Sequence, residues 1–257
     1  MKPPKIRTKP LRGAPRLFVY GPHGIGKTTF ANEAGCLIQP TEDGTGEIAP
    51  KVGILDVART VDEVFEVLDW LINGSHKYRG YALDTIDWFE KLVFKSICEK
   101  SGKGNIAEAC GGYGKGYIEA LNLFFELFDR LEILNKKRGM LILLLGHARI
   151  ETFKDPFGEP FDRYIPDLFQ GKTVQIGSKT IEWCDAVLFA NFEQYTAKRK
   201  TDEDSCVALR GECRRKLYCS KQAAFEEKNR FNLPSELAFS WSELVSNIVK
   251  GREENDS

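Results

Sequence analysis

The chain has 257 residues, 42% of them hydrophobic, enough to bury one large core or one core with a small appendage. Lys+Arg and Asp+Glu balance at 37 each, so no global basic charge announces nucleic acid, although a local basic patch stays open. The longest apolar run, MLILLL at 140–145, is far too short to span a bilayer, and the seven cysteines lack zinc-ligand spacing.

Residues 1–15 carry prolines and cations and read as a basic N-terminal arm, either a tail or a nucleic-acid contact. The arm has no apolar segment behind it, so no signal peptide is expected. Reduced thiols in a cytoplasm are the matching expectation.

A short apolar strand at 16–20 (RLFVY) leads into GPHGIGKT at 21–28, which fits the phosphate-binding pattern G-x-x-x-x-G-K-[ST]. The glycines permit a tight turn that aims successive backbone N–H groups at phosphate oxygens. Lys27 supplies charge for the β- and γ-phosphates, and the Thr28 hydroxyl is placed to ligate Mg²⁺. Gly21, Pro22, His23, Gly24, Ile25, Gly26, Lys27, Thr28 and Thr29 are therefore the ATP-binding candidates. A helix over 28–34 follows, with Gly35 as its stop.

Residues 36–39 read as a second strand running into the acidic loop PTEDGTGE at 40–47. A water-activating carboxylate belongs just past a strand next to the phosphate loop, so Glu42 is the first candidate and Asp43 the second. A short strand is expected at 52–55, then a capping box at Thr60 and Glu63 opening a helix that ends at Asn73-Gly74. The strand at 78–85 ends in Asp84, which takes the second metal role beside Thr28. Helices are expected over 86–100 and 118–135, separated by a loop rich in glycine and lysine at 101–116.

A buried strand at 139–145 ends at His147, either a γ-phosphate sensor or an inert loop histidine. Residues 151–179 look like a long insertion turning at 155–158, whose aromatics either pack on one another or stack on bases. Further strands are expected at 183–190 and 214–219, with a polar hairpin tip at 198–204 between them. A cation-bearing turn at 226–234 precedes a last helix at 242–250, and 251–257 reads as a polar tail.

This order resembles the ATPase core of RecA-like recombinases, and most closely the phage-encoded, core-only RecA-like proteins of single-strand annealing recombination. The residues that carry it are GPHGIGKTTFA at 21–31, PTEDG at 40–44, YALDTIDWFEKL at 81–92, LLLGHARIE at 143–151, WCDAVLFA at 183–190 and EKNR at 227–230. The resemblance implies an α/β fold: a P-loop NTPase core over 16–250 with a mostly parallel sheet flanked by helices and antiparallel strands toward the C-terminus. It implies ATP and Mg²⁺ as cofactors and catalytic roles for Glu42, Lys27 and His147, although such recombinases usually carry glutamine at the histidine position. Lys228 and Arg230 would reach a neighbouring subunit's γ-phosphate, so a ring or filament is implied. Single-stranded DNA would lie on loops 101–116 and 150–179, a single-strand-binding protein is a further candidate partner, and the location would be a bacterial host's cytoplasm.

Two other classes fit a phosphate loop. One is a replication-associated ring ATPase or helicase loader acting on a protein partner. The other is a small-molecule kinase, opposed by a 150–179 segment with Arg163 as its one arginine. A GTPase is opposed by NKKR at 135–138, which lacks the aspartate that reads guanine.

Overall fold

The structure is a computed structural model that describes residues 12–154, 158–193, 196–197, 208–209, 214–220 and 223–254. The expected turn residues 155–157, the hairpin tip at 198–204 and most of the basic arm lie outside them. The first half of the chain forms β1 (Arg16–Gly21), α1 (Lys27–Glu33), β2 (Leu37–Pro40), β3 (Gly53–Ile54), α2 (Val61–Asn73), β4 (Gly80–Asp84) and α3 (Ile86–Ser101). A 3-10 turn at Ala109–Gly111 precedes α4 (Lys115–Arg138), β5 (Leu141–Phe153), β6 (Phe161–Pro166), α5 (Ile176–Trp183) and β7 (Ala186–Phe192). The chain continues through β8 (Thr196–Ala197), β9 (Ala208–Leu209), β10 (Arg215–Tyr218), β11 (Lys228–Asn229), β12 (Glu236–Ala238) and α6 (Trp241–Glu254).

The main sheet runs β12-β10-β7-β1-β5-β4-β2-β3, with β11 also on β7 and β6 also on β5, while β8 and β9 pair separately. Pairing is parallel from β7 across to β3 and antiparallel where β10, β11, β12 and β6 join. The fold is thus the expected α/β arrangement, a mostly parallel sheet with antiparallel strands on its C-terminal side. Its parallel strands are near-continuous apolar runs because both faces are covered. Phe18, Tyr20, Tyr81, Leu83, Ile142 and Leu144 enter the cluster that includes α2, α3 and α4 residues. Leu17, Val19, Ala82, Leu143 and Leu145 enter the other, with Phe30 of α1 and Leu244 and Ile248 of α6. Successive strand side chains point to opposite faces, so one strand feeds both cores.

Helices α1, α2, α3, α4 and α6 form where the pattern places them, whereas α5 forms where an insertion and the start of a strand were expected. In α2, Val61, Val64, Phe65, Leu68 and Leu71 are buried at helical spacing, and the Thr60 side chain accepts from Glu63 N. Each such fully buried Val or Leu contributes about 1.5–3 kcal/mol. Three expectations change in detail. The strand expected to stop at 145 continues to Phe153, because residues 148–153 pair antiparallel with 161–166. The expected turn at 226–234 contains β11, whose Lys228 lies opposite Val187. The last helix runs on to Glu254 rather than yielding to a tail at 251, and Gly251 lies so close to Phe231 O that a Cβ there would clash. No helix among the described residues is long and apolar enough to cross a membrane.

Candidate active site

The carboxyl ends of β1, β2 and β4 meet beside the middle of β5. Register puts Gly21 opposite His147 and Pro40 opposite Asp84. At Gly21 a Cβ would sit 2.2 Å from Ala190 O, so only glycine lets the chain leave the strand against β7. Gly24 and Gly26 take φ of 74° and 101°, the left-handed region that suits glycine. The loop then turns into α1, and the Lys27 ammonium folds back to donate to Gly21 O and Pro22 O, both at 3.1 Å. Burial lowers the Lys27 pKa, while Asp84, Asp87 and Glu42 oppose that shift. A buried cation beside a concave, glycine-built backbone fits a phosphate chain.

The Thr28 hydroxyl donates to Asp84 Oδ2 at 2.6 Å, joining the two candidate metal residues. Burial raises the Asp84 pKa, and the Thr28 hydrogen bond and the Lys27 charge work against it. A hydroxyl and a carboxylate are hard oxygen donors. Among the described residues no group of three His, Cys, Asp or Glu could cage an ion. This donor set fits Mg²⁺, which prefers one or two protein oxygens completed by phosphate and water.

Glu42 follows β2 and is set by a threonine lattice. Thr41 N donates to Asp84 O at 2.7 Å, Thr41 Oγ1 donates to Thr85 O at 2.7 Å, and Thr85 N donates back to Thr41 Oγ1 at 2.9 Å. Thr85 Oγ1 then donates to Glu42 Oε1 at 3.2 Å. Burial raises the Glu42 pKa, opposed by His147, so its carboxyl sits above the ordinary range. Asp43, the alternative acid, turns outward to pair with Arg59 at 2.8 Å.

His147 is buried, with its Nε2 3.7 Å from Glu42 Oε1 and its Nδ1 2.9 Å from Asp87 Oδ2. Asp87 Oδ1 also accepts the His147 backbone N–H at 2.9 Å. Burial alone would raise the Asp87 pKa, but these hydrogen bonds from His147 hold it below its usual value. On the loop side, His23 stacks on the His147 ring with centroids 3.8 Å apart. Burial and the neighbouring His147 lower the His23 pKa.

The sequence model of the AAA domain family matches residues 14–231, from two residues before β1 to just past β11. The chain belongs to the AAA domain family. It is therefore a nucleotide-binding NTPase built on a P-loop fold. No curated protein matches it in sequence.

In this AAA domain, several site residues escape a reading by motif. Asp87 reads in the sequence as a helix-opening acid, and Thr41 and Thr85 as ordinary strand-end polar residues. The D-T-I-D spacing at 84–87 was the available signal, since it sets two carboxylates at one strand end. Arg215 comes from β10, far along the chain, and donates to Ile25 O of the phosphate loop at 3.2 Å. Two expected catalytic cations are not brought to the loop within this chain. Lys228 and Arg230 lie at the start of β7, the end of the sheet away from Gly21. There Lys228 Nζ donates to Ile181 O and Glu182 O at the end of α5, and Arg230 pairs with Asp185 at 3.4 Å.

The segments around the two loops expected to hold DNA meet at one aromatic contact. Tyr117, just past the glycine loop, stacks on Phe169 with centroids 4.0 Å apart. Within 150–179, however, the rings are largely spent on packing. Phe153 and Phe161 pair across the hairpin, and Tyr164 stacks on Phe189. Phe157 lies outside the described residues. In the first loop Tyr113 is 99% exposed, held at a left-handed φ of 54° among Gly111, Gly112 and Gly114.

Proposed function

We propose that this chain is a RecA-like, Mg²⁺-dependent ATPase core of the phage-encoded single-strand annealing type, acting on single-stranded DNA as a ring or filament. Gly21 to Thr29 bind the triphosphate, Lys27 neutralises it, Thr28 and Asp84 hold the cation, and Glu42 polarises the attacking water. His147 senses the γ-phosphate. A bound Mg²⁺ would neutralise charge on the phosphates; Glu42 positions the water, and His147, once protonated, has an Nε2–H to offer the terminal phosphate.

The observation that carries the DNA reading is Tyr113. An aromatic ring held clear of the surface, with exposed Lys103 and Lys115 on the same loop, combines base stacking with phosphate neutralisation. Support for joint action by the second loop comes from the Tyr117–Phe169 stack. The test is ATPase activity with and without single-stranded DNA, alongside sizing by light scattering. Single strands should stimulate turnover and enlarge the assembly. Tyr113→Ala should weaken DNA binding by about 1–3 kcal/mol at an unchanged salt slope, whereas Lys103→Ala should flatten the slope. Turnover indifferent to DNA but dependent on a protein partner would replace this reading with the helicase-loader class.

A further inference from the structure

We propose that Glu42, His147 and Asp87 form a proton relay: Glu42 takes a proton from the attacking water, His147 receives it at Nε2, and Asp87 holds His147 ready. The proposal rests on the reading of Glu42 as the base of this ATPase and extends it to two residues that determine where the proton goes next.

The geometry leaves one tautomer. Asp87 accepts from the His147 backbone N–H with one oxygen and faces the ring Nδ1 with the other, both at 2.9 Å. An ionised carboxylate is acceptor-only, so Nδ1 carries the hydrogen and Nε2 presents a lone pair. That lone pair faces Glu42 Oε1 at 3.7 Å. Stacking by His23 at 3.8 Å covers one face of the ring, and 7% exposure leaves it little room to turn. Glu42 is held by the 3.2 Å bond from Thr85, so a shift of about 1 Å closes the gap, as such contacts do when substrate binds.

The step balances. The water oxygen bonds to the γ-phosphorus as the bond from phosphorus to the bridging oxygen breaks. The water proton passes to the Glu42 carboxylate and then to Nε2. The resulting imidazolium is paired with Asp87, and Glu42 returns to a carboxylate before the proton leaves to solvent. Asp87 is a positioning residue here, since it acts through His147. The charged groups around the ring are Glu42, Asp84 and Asp87 on the acidic side and Lys27 and His23 on the basic side.

Asp87→Asn tests the relay. An amide still accepts the backbone N–H but offers a donor to Nδ1, which moves the ring hydrogen to Nε2. Turnover should fall about a hundredfold or more while KM for ATP holds, and nitrogen NMR of His147 should switch from Nδ1–H to Nε2–H. His147→Gln, which cannot take the proton, should lose turnover to the same degree and serves if the asparagine variant does not fold. Wild-type turnover in either variant, or an Nε2–H histidine in the unmodified protein, overturns the relay. Glu42→Gln separates the two levels. Were it inactive while Asp87→Asn turned over normally, the relay alone would fall; were it fully active, the assignment of the base would fall too.

Discussion

At the residue scale, neighbours in sequence part company. Glu42 and Asp43 are adjacent acids, yet one faces His147 at 3.7 Å and the other pairs with Arg59 on the surface. Glu42→Gln should keep ATP affinity and lose turnover by about 10²–10⁴-fold, as removal of a general base does. Asp43→Asn should hydrolyse as wild type, which steady-state ATPase rates will decide. If Lys27 is the cation that meets the phosphates, Lys27→Ala should lose both nucleotide binding, read by a fluorescent triphosphate analogue, and hydrolysis. The acid pair was legible as a pair in sequence. Which member faces the site depends on the course of the chain past Pro40, where the Thr41–Thr85 bonds settle it.

At the element scale, α3 joins the site to the second loop. Asp87 in its first turn holds His147, and one turn later Glu90 Oε1 accepts Phe169 N at 2.9 Å. Burial pushes the Glu90 carboxyl up to about 8. A carboxyl raised on folding binds its proton more tightly in the native state, so its contribution is complete below the ordinary carboxylate pKa. It is then lost progressively as pH rises through about 8. Denaturant unfolding should therefore show stability falling across that window, by a few kcal/mol at about 1.4 kcal/mol per pKa unit. Glu90→Gln keeps the acceptor for Phe169 and should flatten the slope. Capping is a smaller matter: Thr60→Ala should cost about 1 kcal/mol, read as a lower urea midpoint, through loss of the 3.2 Å bond from Glu63 N. Helix α2 was legible to its last residue because cap, periodicity and Asn73-Gly74 agree. Strand β5 beyond 145 was not, since residues 148–153 mix Ala, Ile and Phe with Arg, Glu and Thr and take strand form by pairing with 161–166.

At the scale of the whole molecule, the sheet has two unlike ends. The phosphate loop, Asp84 and Glu42 gather at one, while Arg230, with 57% of its side chain exposed, lies at the other beside Asp185. If catalysis is shared between copies, Arg230 must serve the site of a neighbour, because it cannot reach its own. Arg230→Ala and Lys27→Ala proteins should each be inactive alone and recover part of the activity when mixed, since some interfaces then pair an intact loop with an intact arginine. Arg230→Ala turning over at the wild-type rate at every protein concentration would end the shared-site idea. Lys228 is the weaker candidate, its ammonium being engaged by the end of α5.

Sequence by itself determined what is local. A phosphate loop is a run of backbone conformations that Gly21, Gly24 and Gly26 alone make available, and Lys27 and Thr28 are read by their place in that run. Buried parallel strands announce themselves as apolar runs because both faces are covered, so the fold class and the position of Asp84 were visible before any coordinate. What only the tertiary structure decided is whatever depends on strands meeting out of chain order. Placing β5 between β1 and β4 brings His147 against Asp87, 60 residues away, and against Glu42 beyond it. Setting β10 beside β7 lays Arg215 on the phosphate loop, 190 residues from Ile25. Such contacts follow from sheet order and register, which are set by the total packing of two cores and leave no mark on any short stretch of sequence.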